Sequence, residues 1–347
     1  MATVYKTLLN DDVVTTRTLL HESIPITGSI LSGTYDDANI KTFSHGRFQS
    51  VYDYNWTSSS ANHIFDISVG YSADSSIAGQ ANNVDESKKN QMYNQLAQML
   101  VGHDITGSIL KFDRDGNILA GGDKLKECVF LSFSRLLTKD EIKKGSVQLE
   151  IYSGSYLDPQ NTNIVTISDY GAADEFRINS PAGEYGILYT GSAATAGTGV
   201  GLVYYQAGIM VLTASLFREE GQTDYLLSGA IDQSISAALT GSSADDFSAE
   251  LRRRVKQFSF NNTVELNSTV YFCRLNHNEF NYSSNPTYLQ DSKIIVKGSD
   301  PMQSPSSYVT TIGLYSSDNE LLATAKLSEP LKKTPENEII LRVRLDY

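Results

Sequence analysis

From Tyr185 to Phe217 the sequence carries no charged residue. A stretch of that length without charge has two physical solutions: a membrane span, or strands buried on both faces inside a protein. Its middle, Thr190 to Gly199, reads Thr-Gly-Ser-Ala-Ala-Thr-Ala-Gly-Thr-Gly, small and polar, and the apolar part that begins at Val200 is interrupted by Gln206 and Gly208. A bilayer-crossing helix needs about 20 consecutive apolar residues. The stretch therefore reads as a pair of buried strands around a loop, and no membrane span is expected.

Much of the remaining chain has the same β character. Short apolar runs at 40–43, 48–54, 63–69, 147–152, 163–167, 263–272, 293–297, 308–315 and 320–327 are separated by Ser, Asn, Gly and Pro, the pattern of strands and turns. The close is stricter: Ile339, Leu341, Val343 and Leu345 alternate with Ile340, Arg342, Arg344 and Asp346, which predicts a half-buried strand. Two amphipathic helices interrupt this text. One spans 85–101, with Met92, Leu96, Met99 and Leu100 as its apolar stripe, and the other spans 243–258, with Phe247, Leu251, Val255 and Phe258. The basic run Arg252, Arg253, Arg254 and Lys256 reads as a solvated helix end or a subunit contact. Thr138 and Glu141 form a capping box for a short helix to Gly145. Asn10 and Asp11 can cap a helix that starts near Asp12 and is stopped by Pro25.

The fold class that follows is α+β, mainly β, with antiparallel sheets or sandwich-like units, two principal helices and an amino-terminal helix and arm. Domain boundaries are drawn at 1–30 for the arm, 31–183 for a first β-rich domain and 184–347 for a second.

No residue pattern assembles into an active centre. The five histidines are scattered, and the densest polar cluster, His277-Asn278-Glu279, lies in a Ser- and Asn-rich segment suited to loop hydrogen bonding. There is no nucleophile elbow and no P-loop, and Gly197-Thr-Gly199-Val-Gly201 leads into strand-like sequence rather than a helix. Asp113-Arg-Asp115-Gly116-Asn117 matches the opening of a calcium loop, but position twelve is Lys124 where an acidic ligand belongs, so a β-hairpin is the favoured reading. Cys128 and Cys273 sit in apolar settings and read as buried free thiols, with a single disulfide as the alternative. Neither an enzyme, a cofactor nor a metal is expected. The amino-terminal residues lack the basic and apolar segments of a signal peptide, so the glycosylation-like triplets, such as Asn55-Trp-Thr57, carry little weight.

Composition now sharpens the function classes. A net charge of -12 opposes binding to nucleic acid phosphates. Only 20% of residues are charged, and Tyr numbers 20. Tyrosine gives contact area at small entropic cost, and Asn and Ser give adaptable hydrogen bonds, a vocabulary suited to subunit packing. The expected contact residues are Leu20, Ile24 and Pro25 in the arm, and Phe280, Tyr282, Asn285, Pro286 and Tyr288 in the polar-aromatic segment.

The segments Leu20-His-Glu-Ser-Ile-Pro-Ile-Thr-Gly28, Ser58-Ser-Ser-Ala-Asn-His-Ile-Phe-Asp66, Val203-Tyr-Tyr-Gln-Ala-Gly-Ile209, 279–288 and 321–333 resemble a family of virion structural proteins from contractile-tailed marine and cyanobacterial phages. The resemblance implies a non-enzymatic tail component, in the baseplate first of all, present in multiple copies around the tail axis. Its partners would be other virion and tail proteins, and it would reside in the virion tail after assembly in the host cytoplasm. A peripheral receptor- or glycan-binding protein and a neck or connector component are the alternatives.

Overall fold

The computed structural model describes residues 5–27, 36–118, 121–152, 164–191, 198–217, 234–283, 285–290, 293–294 and 305–347. The chain is α+β and mainly β. Its strands are β1 (Val13–Thr27), β2 (Ile40–Thr42), β3 (Phe48–Tyr52), β4 (His63–Tyr71), β5 (Glu127–Phe133), β6 (Glu141–Ile142), β7 (Gln148–Tyr152), β8 (Ile164–Ser168), β9 (Tyr185–Thr190), β10 (Gly201–Tyr204), β11 (Ile209–Thr213), β12 (Val255–Leu275), β13 (Leu289–Gln290), β14 (Lys293–Ile294), β15 (Ser307–Tyr315), β16 (Leu321–Lys333) and β17 (Ile339–Asp346). The helices are α1 (Asn83–Leu100), the single turns α2 (Arg135–Thr138) and α3 (Ala172–Glu175), then α4 (Ile235–Thr240) and α5 (Asp245–Arg254). Among the described residues no helix is long and apolar enough to cross a membrane.

Two compact units form: Leu20–Val264, and Met1–Leu19 together with Glu265–Tyr347. These limits differ from the boundaries read from the sequence. The pairing of β8 with β9 carries the sheet across position 183, where a boundary had been drawn.

In the larger unit the strand order is β7-β8-β9-β10-β11-β5-β4-β3-β2, with the first part of β12 against β7. Every registered pair is antiparallel. Phe133 of β5 stacks on Phe258 of β12 with ring centroids 5.0 Å apart, although five strands separate them in the order. The sheet therefore curls back on itself, and Val129, Leu131, Met210, Leu212, Leu149 and Phe260 share one inner core. The charge-free stretch supplies β9, β10 and β11. Successive residues of β10 and β11 alternate between that inner core and an outer one, so both faces are buried.

Helix α1 covers the outer core. Asn82 caps it, its side chain accepting from the amides of Val84 and Asp85. The buried face is Asp85, Lys89, Tyr93, Ala97 and Leu100, whereas Met99 is exposed and Met92 and Leu96 are only partly covered. Gly70 of β4 explains the rotation from the expected stripe. A Cβ there would lie 2.8 Å from the Lys89 carbonyl oxygen and 2.9 Å from the Tyr93 nitrogen, so only glycine lets the helix approach this closely. Lys89, drawn inward, donates to the Ser243 carbonyl oxygen at 2.9 Å, and burial lowers its pKa to about 8.

A second buried polar centre is Asp169. One carboxylate oxygen accepts from the Gly145 amide (2.7 Å) and the Tyr205 hydroxyl (2.9 Å), the other from the Val147 amide (3.0 Å). The Lys144 ammonium stands over the Tyr205 ring at 5.7 Å.

Several sequence expectations are overturned. The amino-terminal helix is a strand: a single 3-10 turn at Asn10–Asp12 leads into β1, and Pro25 lies within it. The helix expected over 243–258 ends at Arg254, because the apolar period changes from helical to alternating at Val255, Phe258 and Phe260. Arg254 is fully buried rather than solvated, and Lys256 pairs with Glu150 at 3.0 Å. Thr138 ends a helical turn instead of capping one, and Lys139 reverses the chain with φ +56°. Cys128 is buried, but Cys273 is only partly so; both are free. The hairpin expected around Asp115-Gly116 is a loop closed by a bridge between Asp113 and Lys124, without regular strands among its described residues.

Candidate interaction surface

The arm residues divide between the units. In the smaller unit Thr15 faces Thr269 (hydroxyl oxygens 3.3 Å apart) and Arg17 pairs with Glu265; in the larger, His21 Nδ1 lies 3.1 Å from the Thr263 hydroxyl and the Glu22 amide donates to Asn262 Oδ1 at 3.2 Å. Partner numbers fall on β12 as they rise on β1, the signature of an antiparallel pair. No further strand pairs the other side of β1 among the described residues, so β1 is an edge with open hydrogen-bonding groups. Of the three arm residues read as contacts, Leu20 is half exposed, Ile24 packs on the inner core, and Pro25 is exposed. Proline on an edge strand removes one donor from the open side.

In the smaller unit, β17 pairs with the second half of β12 in continuous register from Ser268↔Asp346 to Leu275↔Ile339. Leu341 and Val343 face inward, and Ile340, Arg342, Arg344 and Asp346 face out, as the alternation predicts. Asp12 is buried, and the Arg274 guanidinium 2.5 Å away holds its carboxyl below the usual range.

The polar-aromatic segment begins with a turn that is clamped from three directions. Lys333, fully buried, donates from Nζ to the His277 carbonyl (3.2 Å), Asn281 Oδ1 (2.8 Å) and the Thr334 carbonyl (2.8 Å). All three donors are thus used on neutral oxygens. Desolvation lowers the lysine pKa, opposed by Glu279 and Glu338. The Ser307 hydroxyl donates to the Phe280 carbonyl, and Phe280 holds φ +53°, a conformation that costs a non-glycine residue. Lys6 pairs with Glu279 and lowers its carboxyl pKa. The segment is therefore fixed in place with Phe280 and Tyr282 pointing ring area at solvent. Asn285 and Pro286 are exposed, and Tyr288 is partly covered and donates its amide to the Asn285 carbonyl at 2.8 Å.

Beside this turn in sequence lies a feature that the residue reading treated only as strands. β15 and β16 form a two-stranded ribbon of their own. No residue of 308–315 or 321–332 is buried, and Tyr308, Tyr315, Leu321, Leu322 and Leu331 are all exposed. Tyr5 packs on Tyr315, ring centroids 4.8 Å apart. An adjacent Leu321-Leu322 pair on a strand was the available signal, since side chains alternate and one of them must face away from any single core. Lys333, Ser307 and Lys6 had no such local signal.

Chemically the surface offers ring faces, leucines and open strand edges, which suit packing against another protein. Among the described residues no group of three or more His, Cys, Asp or Glu is placed to hold a metal ion. No family model, curated protein or solved structure matches the chain.

Proposed function

We propose that the chain is a non-enzymatic building block of a contractile phage tail, in its baseplate, and that neighbouring subunits cover β1 and the β15–β16 ribbon. The observation that carries this reading is the ribbon: two long paired strands with no buried residue between Tyr308 and Lys332. A two-stranded ribbon is marginal in water and gains stability when a further strand or surface covers it. Its leucines and tyrosines are the residue types that gain most from such cover. The long open edge of β1 invites strand addition by a neighbour in the same way. The resemblance to tail proteins supplies the setting.

Purified virions, analysed by mass spectrometry and cryo-EM, test the proposal directly. The chain should be found in the tail, in several symmetry-related copies, with density on the ribbon. Its absence from virions would refute the reading. Specific glycan binding by the isolated protein, with no copy in the tail interior, would favour the receptor-binding alternative.

A further inference from the structure

We propose that Lys333 and Asn281 are the two ends of an intramolecular isopeptide bond, formed between the lysine Nζ and the asparagine Cγ with release of ammonia. The site lies within the smaller unit, between the turn at 276–283 and the last residue of β16.

The two reacting groups are already together. Lys333 Nζ stands 2.8 Å from Asn281 Oδ1. The C=O bond of the amide is about 1.2 Å long, so Cγ lies within about 4.0 Å of the amine. Attack proceeds from about 3–3.5 Å, a small movement away. Both groups are also held. Asn281 Nδ2 donates to the His277 carbonyl at 2.8 Å, which turns the oxygen side of the amide toward the lysine. Nζ is fixed by the Thr334 carbonyl at 2.8 Å and the His277 carbonyl at 3.2 Å. Such fixed placement replaces an encounter in solution and raises the effective concentration of amine at the amide by orders of magnitude.

A lysine attacks only as the neutral amine, and burial is one way to supply it. Lys333 is fully buried, its three acceptors are all neutral oxygens, and burial lowers its pKa. Lys89 is the other buried lysine among the described residues, but it meets a backbone carbonyl, where attack would cut the chain. Lys333 meets a side-chain amide, which can leave as ammonia without harm to the backbone. In the reaction the Nζ–Cγ bond forms and the Cγ–Nδ2 bond breaks. Two protons pass from the lysine ammonium to the departing nitrogen, which exits as an ammonium ion. Nothing is oxidised or reduced, and no co-reactant is consumed. Glu279, kept ionised by Lys6, already acts on the Nζ charge and is the carboxylate placed to relay those protons. Asn281 is partly exposed, so ammonia has a way out, and its dilution draws the exchange of one amide for another forward. The bond ties the turn that carries Phe280 and Tyr282 to the root of β16. Force on the ribbon is then borne by a covalent link as well as by hydrogen bonds.

Intact-mass spectrometry of the purified full-length protein tests this, followed by proteolysis and tandem mass spectrometry to locate the link. The wild type should weigh about 17 Da less than its sequence, the mass of one ammonia, and should yield a branched peptide joining residues 281 and 333. Asn281→Ala and Lys333→Arg should each keep their full sequence mass. The wild-type mass decides the question even where a variant fails to fold. A wild type that stays at full mass after prolonged incubation at alkaline pH, where the amine is neutral, overturns the proposal. A mass loss that persists in Asn281→Ala overturns it as well.

Discussion

Replacing Asp169 by Asn removes the charge while nearly keeping the shape. The carboxylate accepts three hydrogen bonds, from the Gly145 and Val147 amides and the Tyr205 hydroxyl. Those donors favour the ionised form, but burial is the larger influence and pushes the carboxyl from its ordinary 3.8 up to about 6. The folded chain therefore holds this proton more tightly than the unfolded chain does. Stability from the group is fully present below pH 3.8 and is lost as pH rises through 6. At 1.36 kcal/mol per pH unit, the rise amounts to about 3 kcal/mol between those limits. Asn cannot titrate, and at pH 7 it costs about 1–3 kcal/mol because its amide meets a donor. Urea unfolding of wild type and Asp169→Asn, followed by fluorescence at pH 4, 5, 6 and 7, isolates the group from all other carboxylates. The advantage of the wild type should widen by about 2–3 kcal/mol from pH 7 to pH 4. An advantage that shrinks on acidification would mean that the three donors outweigh burial, and the reasoning would be refuted.

Gly70→Ala places a methyl group 2.8 Å from the Lys89 carbonyl and must displace α1; calorimetry should show a loss of about 1–3 kcal/mol. Lys333→Met leaves three oxygens without their donor, at a cost of about 1–3 kcal/mol. Hydrogen exchange should accelerate selectively over 276–283. Leu322→Glu, at a position 68% exposed, should leave monomer stability within about 0.5 kcal/mol yet prevent incorporation into tails, read by sedimentation of assembled particles.

The sequence made the buried sheet legible where composition and period agreed. The charge-free stretch, expected as a pair of buried strands around a loop, forms three, β9, β10 and β11, and alternating β17 stands where it was expected. β5 was missed because its centre, 128–131, is an unbroken apolar run that, being buried on both faces, has no period to detect. β1 was misread because Asn10 and Asp11 resemble a helix cap, although the β-branched run Val13, Val14, Thr15 and Thr16 favoured a strand. The residues of the polar-aromatic segment were visible as a composition. The clamp that fixes them was not, because Lys333 reaches back 56 positions to His277, and no local pattern records such a contact.

The pairing of β1 with β12 also sets a schedule for biosynthesis. Thr15 meets Thr269 across 254 positions of sequence. At about 5–20 residues per second, the first strand waits roughly 13–50 s on the ribosome before its partner has been made. For that time Val14, Leu19 and Leu20 face solvent on a strand with two open sides. Arg17, His21, Glu22 and Pro25, spaced through the same strand, break up the apolar run and act as gatekeepers against association of nascent chains. The open edge proposed to receive a neighbouring subunit is thus, during translation, a hazard the strand's own sequence moderates.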